Sequence, residues 1–133
     1  MDSEPTIVVI DDEADVARYL AAALEDEGYR VRVGSDAREG LRLIREAIPA
    51  LVCLDLVMPG RTGISLYREL REIPGLARVP IVVVTGVAPR DAEERLGLGR
   101  DLPMPEAYIE KPVDIAAFVA TVGRLLTAGR RPS

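Results

Sequence analysis

The chain has 133 residues, 48% of them apolar and 29% charged, the balance of one soluble globular domain around a single core. Its 17 basic and 22 acidic side chains leave a net charge of -5, and the arginines are interleaved with acids, as in Arg42-Leu43-Ile44-Arg45-Glu46, so no basic face for direct nucleic-acid binding is expected. With no apolar run near the ~18 residues of a membrane span, an acidic N-terminus unlike a signal peptide, one cysteine and no histidine, the chain reads as cytoplasmic, without an intramolecular disulfide or a zinc site.

The missing histidine means that any phosphohistidine or histidine base must come from a partner. Lys111 is the only lysine among the 17 basic residues. Composition bias explains the arginines. The one retained lysine hints at a place that wants a compact ammonium and not a guanidinium fork.

In chain order, residues 6–10 (Thr-Ile-Val-Val-Ile) form an apolar, β-branched run and read as the first strand. Asp11-Asp12-Glu13 come next. Acids here have an ordinary explanation, since they favour the positive end of the next helix and can cap its free N–H groups. That helix places Val16, Leu20, Ala23 and Leu24 on one face and ends near Gly28. Residues 29–33 alternate and read as a second, half-exposed strand near an edge. Asp36 and Glu39 have the spacing of a capping box for the second helix, whose buried face is Ala37, Leu41, Ile44 and Ile48, with Pro49 ending it.

Residues 51–58 (Leu-Val-Cys-Leu-Asp-Leu-Val-Met) read as a third strand buried on both faces, with Cys53 as a small buried hydrophobe. An unpaired carboxylate inside such a strand is costly. At the strand's carboxyl end, Asp55 would instead face the crevice where open α/β sheets bind ligands. Pro59-Gly60-Arg61-Thr62-Gly63 is a turn with Thr62 as a candidate cap, and Leu66, Leu70 and Ile73 line a third helix. Residues 80–85 form a fourth buried strand ending in Thr85, with Gly86 directly after it. Residues 89–96 allow about two helical turns, and Gly97, Gly99, Pro103 and Pro105 prevent the helix from continuing. Residues 108–111 are a short fifth strand. Asp114 caps a last helix with Ile115, Phe118, Val119, Val122 and Leu126 on its face, and the tail from Gly129 reads as frayed.

Strands alternating with helices predict an α/β protein with a parallel sheet covered on both faces. Right-handed crossovers put every strand's carboxyl end on one edge. Asp11, Asp12, Asp55, Thr85 and Lys111 then meet there. Three carboxylates in a small space repel one another and need a cation, and an oxygen-only set suits Mg2+ (or Mn2+). A hydroxyl, an open backbone N–H beside a small residue and an ammonium make a cradle for phosphoryl oxygens.

With Asp11-Asp12, then Asp55 followed by Met58-Pro59-Gly60, then Thr85-Gly86, then Lys111-Pro112, the sequence resembles the receiver domains of two-component response regulators. The likeness covers residues 6–126 of what reads as one domain over 1–133. It implies a flavodoxin-like (βα)5, doubly wound, five-stranded parallel sheet of order 2-1-3-4-5. It further implies that Asp55 accepts a phosphoryl group from a histidine kinase or histidine phosphotransfer protein. Asp12, Asp55 and the backbone carbonyl of Val57 would ligate Mg2+, and Asp11 would do so through water. Thr85, Gly86 and Lys111 would bind the phosphoryl oxygens, and Pro112 would follow a cis peptide bond. Thr85 and Tyr108 would form a switch read by a downstream effector. Such a protein is a signalling module, not an enzyme in the ordinary sense, and no output domain is expected in this chain.

Two features depart from the family pattern. The segment between Thr85 and Lys111 is long and rich in Gly and Pro, which predicts a shortened or mobile fourth helix. Val57 and Val87, two residues after Asp55 and Thr85, flank the path of the hydrolytic water in such domains and cannot orient it by hydrogen bonding, although packing alone would also explain both. Arg61 and Thr62 stand where Met and Asp are more usual. A receiver-like interaction module that is never phosphorylated is the alternative. A flavodoxin-like electron carrier is disfavoured by the acidic residues after the first strand and the five aromatic side chains. An Asp-x-Asp phosphatase is disfavoured by Val57.

Overall fold

The computed structural model describes residues 4–58 and 63–129. The turn expected over 59–62, including Thr62 as a cap, and the tail 130–133 lie outside the described residues. In chain order the elements are β1 (Thr6–Ile10), α1 (Ala14–Asp26), β2 (Arg30–Gly34), α2 (Ala37–Glu46) and β3 (Leu51–Leu54). They continue with α3 (Gly63–Glu72), β4 (Ile81–Thr85), α4 (Pro89–Leu96), β5 (Ala107–Glu110) and α5 (Ile115–Gly129). The five strands form one parallel sheet in the order β2-β1-β3-β4-β5. The parallel sheet is the one that the alternation predicts, and its order is the flavodoxin-like one that the family resemblance implies.

Side chains alternate across the strands, so the sheet has two dry faces. Val8, Ile10, Val52, Leu54, Ile81 and Val83 pack against α2, α3 and α4. Ile7, Val9, Leu51, Cys53, Val82 and Val84 pack against α1 and α5. Burial pushes the Cys53 thiol up, so it stays a neutral, inert core group.

Local chemistry explains most element ends. On α1 the buried stripe is Ala17, Leu20, Ala21 and Leu24, with Val16 and Ala23 half-buried, a slight rotation from the expected face. On α2, Asp36 Oδ1 accepts from Glu39 N–H at 2.8 Å. The return arm of the box goes one residue further back, where Glu39 Oε1 accepts from the backbone N–H of Ser35 at 2.8 Å and from its hydroxyl at 3.0 Å. Ile48 is not on the buried face of α2, as the spacing predicts, but 59% exposed. The helix stops at Glu46 and Ala47 is extended (φ -155), and Pro49 bars helical conformation at Ile48, the residue directly before it, so the helix cannot run on to include it. The α5 start is as read, with Asp114 Oδ1 accepting from Ala117 N–H at 3.2 Å.

The fourth helix is short, eight residues, and Gly97 ends it in the left-handed conformation (φ 80). The segment after it is pinned. Gly97 O accepts from Arg100, Asp101 and Leu102 N–H. Leu98 and Leu102 insert into the core beneath α3 and α4. Tyr67, wholly buried on α3, donates its hydroxyl to Pro103 O at 2.6 Å. Arg71 stacks over the Tyr67 ring at 5.1 Å and donates to Ala77 O, Val79 O and Glu106 Oε1. The same Glu106 oxygen accepts from Ile81 N–H at 2.7 Å, at the start of β4. The expected shortening is present. The expected mobility is opposed by these bonds.

Candidate functional site

The backbone ladders run one residue past the strands and so deliver the polar residues. Asp11 N–H donates to Gly34 O, and Asp55 N–H donates to Ile10 O, both at 3.1 Å. On the other side Lys111 N–H donates to Thr85 O at 2.8 Å. The carboxyl edge of the sheet therefore gathers the ends of β1, β3, β4 and β5. Asp11, Asp55 and Thr85 are the buried polar side chains among the described residues.

Carboxylate oxygens of Asp11, Asp12 and Asp55 lie within 4.8 Å of one another, with Asp12 exposed and the other two buried. Lys111 reaches over them. Its Nζ lies 2.6 Å from Glu13 Oε1, 2.9 Å from Asp11 Oδ2 and 3.1 Å from Asp55 Oδ2. The Asp11 contact is an ion pair off the line of a hydrogen bond, so that buried oxygen has no aligned donor. Asp11 Oδ1 accepts from Glu13 N–H at 2.9 Å, and Asp55 Oδ1 accepts from Val57 N–H at 3.2 Å. Burial pushes the Asp11 carboxyl above its ordinary value, more than Lys111 and the Glu13 amide pull it down. For Lys111, burial favours the neutral amine, but the carboxylates of Glu13, Asp11 and Asp55 around it outweigh this and hold the ammonium above its ordinary value.

This donor set fits a hard divalent cation. It is all oxygen, it carries more negative charge than one ammonium offsets, and it includes a buried carboxylate oxygen without an aligned donor.

Thr85 is buried at the end of β4, where its hydroxyl accepts a long 3.5 Å bond from Val87 N–H. Gly86 is exposed, and nothing lies within 4 Å of where a Cβ would stand. The Lys111–Pro112 peptide bond is cis. Tyr108 is half-buried on β5 and donates its hydroxyl to Val87 O, on the loop after Thr85. Burial, then the charges of Glu110, Asp55 and Asp91, pushes its phenol up to about 12. Val57 and Val87 line one cavity of about 320 Å³ together with Gly86, Ala88, Asp91, Arg95 and Leu96.

Two residues of the site are not marked by the sequence pattern. Glu13 looks like the tail of an acidic run, although a lysine with three N–H donors among acids needs a third acceptor. Gly63 looks like part of a turn, but α3 begins against the backbone of Asp55.

A doubly wound parallel sheet with three carboxylates, a hydroxyl and an ammonium at its carboxyl edge defines a class of small signalling domains. The family model for the response regulator receiver domain matches residues 7–123, and the chain belongs to that family. It is similar to the signal receiver domain of a signal transduction histidine kinase from Syntrophus aciditrophicus, with 29% identity, 97% of this chain and 95% of that one covered, and a TM-score of 0.82. The receiver domain of NtrX from Brucella abortus is also 29% identical, over 91% of this chain and 98% of that one, with a TM-score of 0.77. A sensor protein from Polaromonas sp. JS666 is 26% identical over 95% and 98%, with a TM-score of 0.82.

Proposed function

We propose that Asp55 is the phosphoryl acceptor of a two-component system, charged by the phosphohistidine of a histidine kinase or phosphotransfer protein. The observation that carries this reading is the seat of Asp55: a buried carboxylate at an open sheet edge, 3.1 Å from the only lysine and grouped with Asp11 and Asp12. An aspartate oxygen attacks phosphorus, the P–O bond forms, and the P–N bond breaks with the electron pair leaving on the partner's imidazole. Two of the roughly four acceptor sites of an ionised carboxylate are used by Lys111 and Val57 N–H, so lone pairs remain for attack.

Asp11, Asp12, Asp55 and the Val57 carbonyl are the groups that would hold Mg2+ (or Mn2+). When bound, the cation supplies charge neutralisation to the phosphoryl oxygens. Thr85, Gly86 N–H and Lys111 receive those oxygens after transfer. Thr85 and Tyr108 form the switch. Tyr108 is tethered to the loop after Thr85, and it also lines a second cavity of about 320 Å³ with Pro89, Arg90, Glu93, Leu98, Gly99 and Met104. A shift of that loop therefore changes a surface an effector can read. The setting is the cytoplasm. Among the described residues no helix is long and apolar enough to cross a membrane.

The test is incubation with acetyl phosphate or a histidine kinase and Mg2+, followed by intact-mass measurement. One added phosphoryl group is expected in the wild type and none in Asp55→Asn. Unmodified wild-type protein under both donors would favour the never-phosphorylated interaction module. Thermal unfolding gives a second reading. Mg2+ at a hundredfold its Kd should stabilise the wild type by ~2.7 kcal/mol, and Asp11→Asn should respond far less.

A further inference from the structure

We infer that Glu13 is a positioning residue for Lys111, holding its ammonium in a three-carboxylate seat and partly off Asp55. The inference rests on the reading of Asp55 as acceptor. Three observations support it. The Glu13 contact is the shortest of the three that Lys111 makes, at 2.6 Å, and the Asp55 contact is the longest, at 3.1 Å. Glu13 occupies the N-cap of α1, yet its side chain accepts no helix N–H. Helix capping, the ordinary reason for an acid at this place, therefore does not account for it. Finally, its backbone is fixed on both sides: Glu13 N–H donates to Asp11 Oδ1 at 2.9 Å, and Glu13 O accepts from Ala17 N–H at 3.0 Å. A rigid mount of this kind aims the carboxylate at Lys111.

The geometry has a chemical consequence. A lysine drawn fully onto Asp55 would engage the nucleophile it is meant to assist. Held by Glu13 and Asp11, the ammonium neutralises the acceptor while leaving it free, and it already lies over the place where phosphoryl charge develops. Such preorganised charge is where electrostatic catalysis gains most. The Glu13 side chain is 59% exposed, so its pair with Lys111 can be broken at small cost when a phosphoryl oxygen arrives.

The test compares Glu13→Ala with Glu13→Gln, which drops the charge but keeps an acceptor oxygen. Each is phosphorylated by acetyl phosphate at saturating Mg2+, and the maximal rate is separated from the half-saturating donor concentration. The maximal rate should fall about fivefold in Glu13→Ala, the upper end of what an ion pair with an exposed carboxylate contributes. It should stay within about twofold of wild type in Glu13→Gln, because the acceptor is kept. Since Lys111 is the only lysine, isotope-labelled lysine gives one side-chain NMR signal that reports its seat without any phosphodonor. That signal should move in Glu13→Ala and move less in Glu13→Gln. Equal rates in wild type and Glu13→Ala, equal losses in Ala and Gln, or an unmoved lysine signal would each overturn the proposal. A wild type that takes up no phosphoryl group would instead overturn the reading of Asp55 and the proposal with it, and these outcomes are distinguishable.

Discussion

The first residue of α3, Gly63, is pressed onto the backbone of Asp55, the proposed acceptor. A Cβ placed on Gly63 would overlap Asp55 O and stand 2.8 Å from Leu56 Cα, and Ile64 N–H donates to Leu56 O at 3.2 Å beside it. No side chain fits between the helix and the strand end. Gly63→Ala must therefore push α3 outward or shift Asp55. We expect ~1–3 kcal/mol of destabilisation, the usual cost of overpacking, and a loss of phosphorylation larger than stability alone accounts for. Chemical denaturation together with the phosphorylation rate of the folded fraction checks both. A stable, fully active variant would show that the contact relaxes without consequence.

Tyr108 should titrate late. Its folded value, pushed up to about 12, lies above the ordinary value of 10 because burial and nearby acids disfavour the phenolate. The folded state thus binds this proton more tightly than the unfolded one. Its contribution to stability is complete below pH 10 and is lost as pH rises towards about 12. Ultraviolet absorbance of the native protein should show a late tyrosine component that shrinks in Tyr108→Phe, the remainder belonging to Tyr67, whose phenol burial also pushes up. If the variant leaves the late end of the curve unchanged, the phenol is not held as described.

Val57 and Val87 share one cavity, Val57 N–H donates to the proposed acceptor Asp55, and Val57 is 56% exposed. Water can approach, but neither side chain can orient it. The phosphorylated protein should therefore lose its phosphoryl group slowly. Replacing Val57 by Asn adds a neutral hydrogen-bonding group and should speed the loss about fivefold, the equivalent of ~1 kcal/mol. Decay after donor removal, followed by intact mass, measures it. A wild-type half-life of seconds would refute the idea.

Arg71 ties three segments together, and its side chain is only 10% exposed. Arg71→Met keeps much of the packing over Tyr67 but frees Ala77 O, Val79 O and Glu106. Glu106 is 37% exposed, so water recovers part of the loss and ~2 kcal/mol is a fair expectation for severing the pair. Hydrogen exchange should show protected amides at Gly99 and Leu102 in the wild type and faster exchange there in the variant. Fast exchange in both would restore the mobile reading of this segment.

The parallel sheet and the five strand-end residues were legible because each depends on a local signal, whereas the strand order came only from the family resemblance those residues carry. Unbroken apolar runs mark buried strands, and a polar residue directly after such a run has one edge to sit on. What escaped were contacts between distant parts. Ile48 fits the helical spacing of Ala37, Leu41 and Ile44, and only the proline's effect on its neighbour ends the helix first. Gly63 carries no mark of a helix start lying on Asp55. Nothing near Gly97 or Pro103 in the chain announces Tyr67 and Arg71 as the groups that hold the loop still, and Tyr67 lies 36 residues before Pro103. Glu13 was visible as an acid, but its partner is 98 residues away.

That separation bears on how the protein is made. Lys111 comes after β5, at one border of the sheet, and its ammonium reaches past β4 to acids at the ends of β3 and β1. During synthesis the N-terminal acids emerge first, and Lys111 can offset their charge only after β5 has joined the sheet. A nascent chain ending after β4 would hold most of the core and a bare anionic edge. The full charge set of the site therefore needs both ends of the chain in place, and a chain lacking the residues after β4 would present those acids without their lysine.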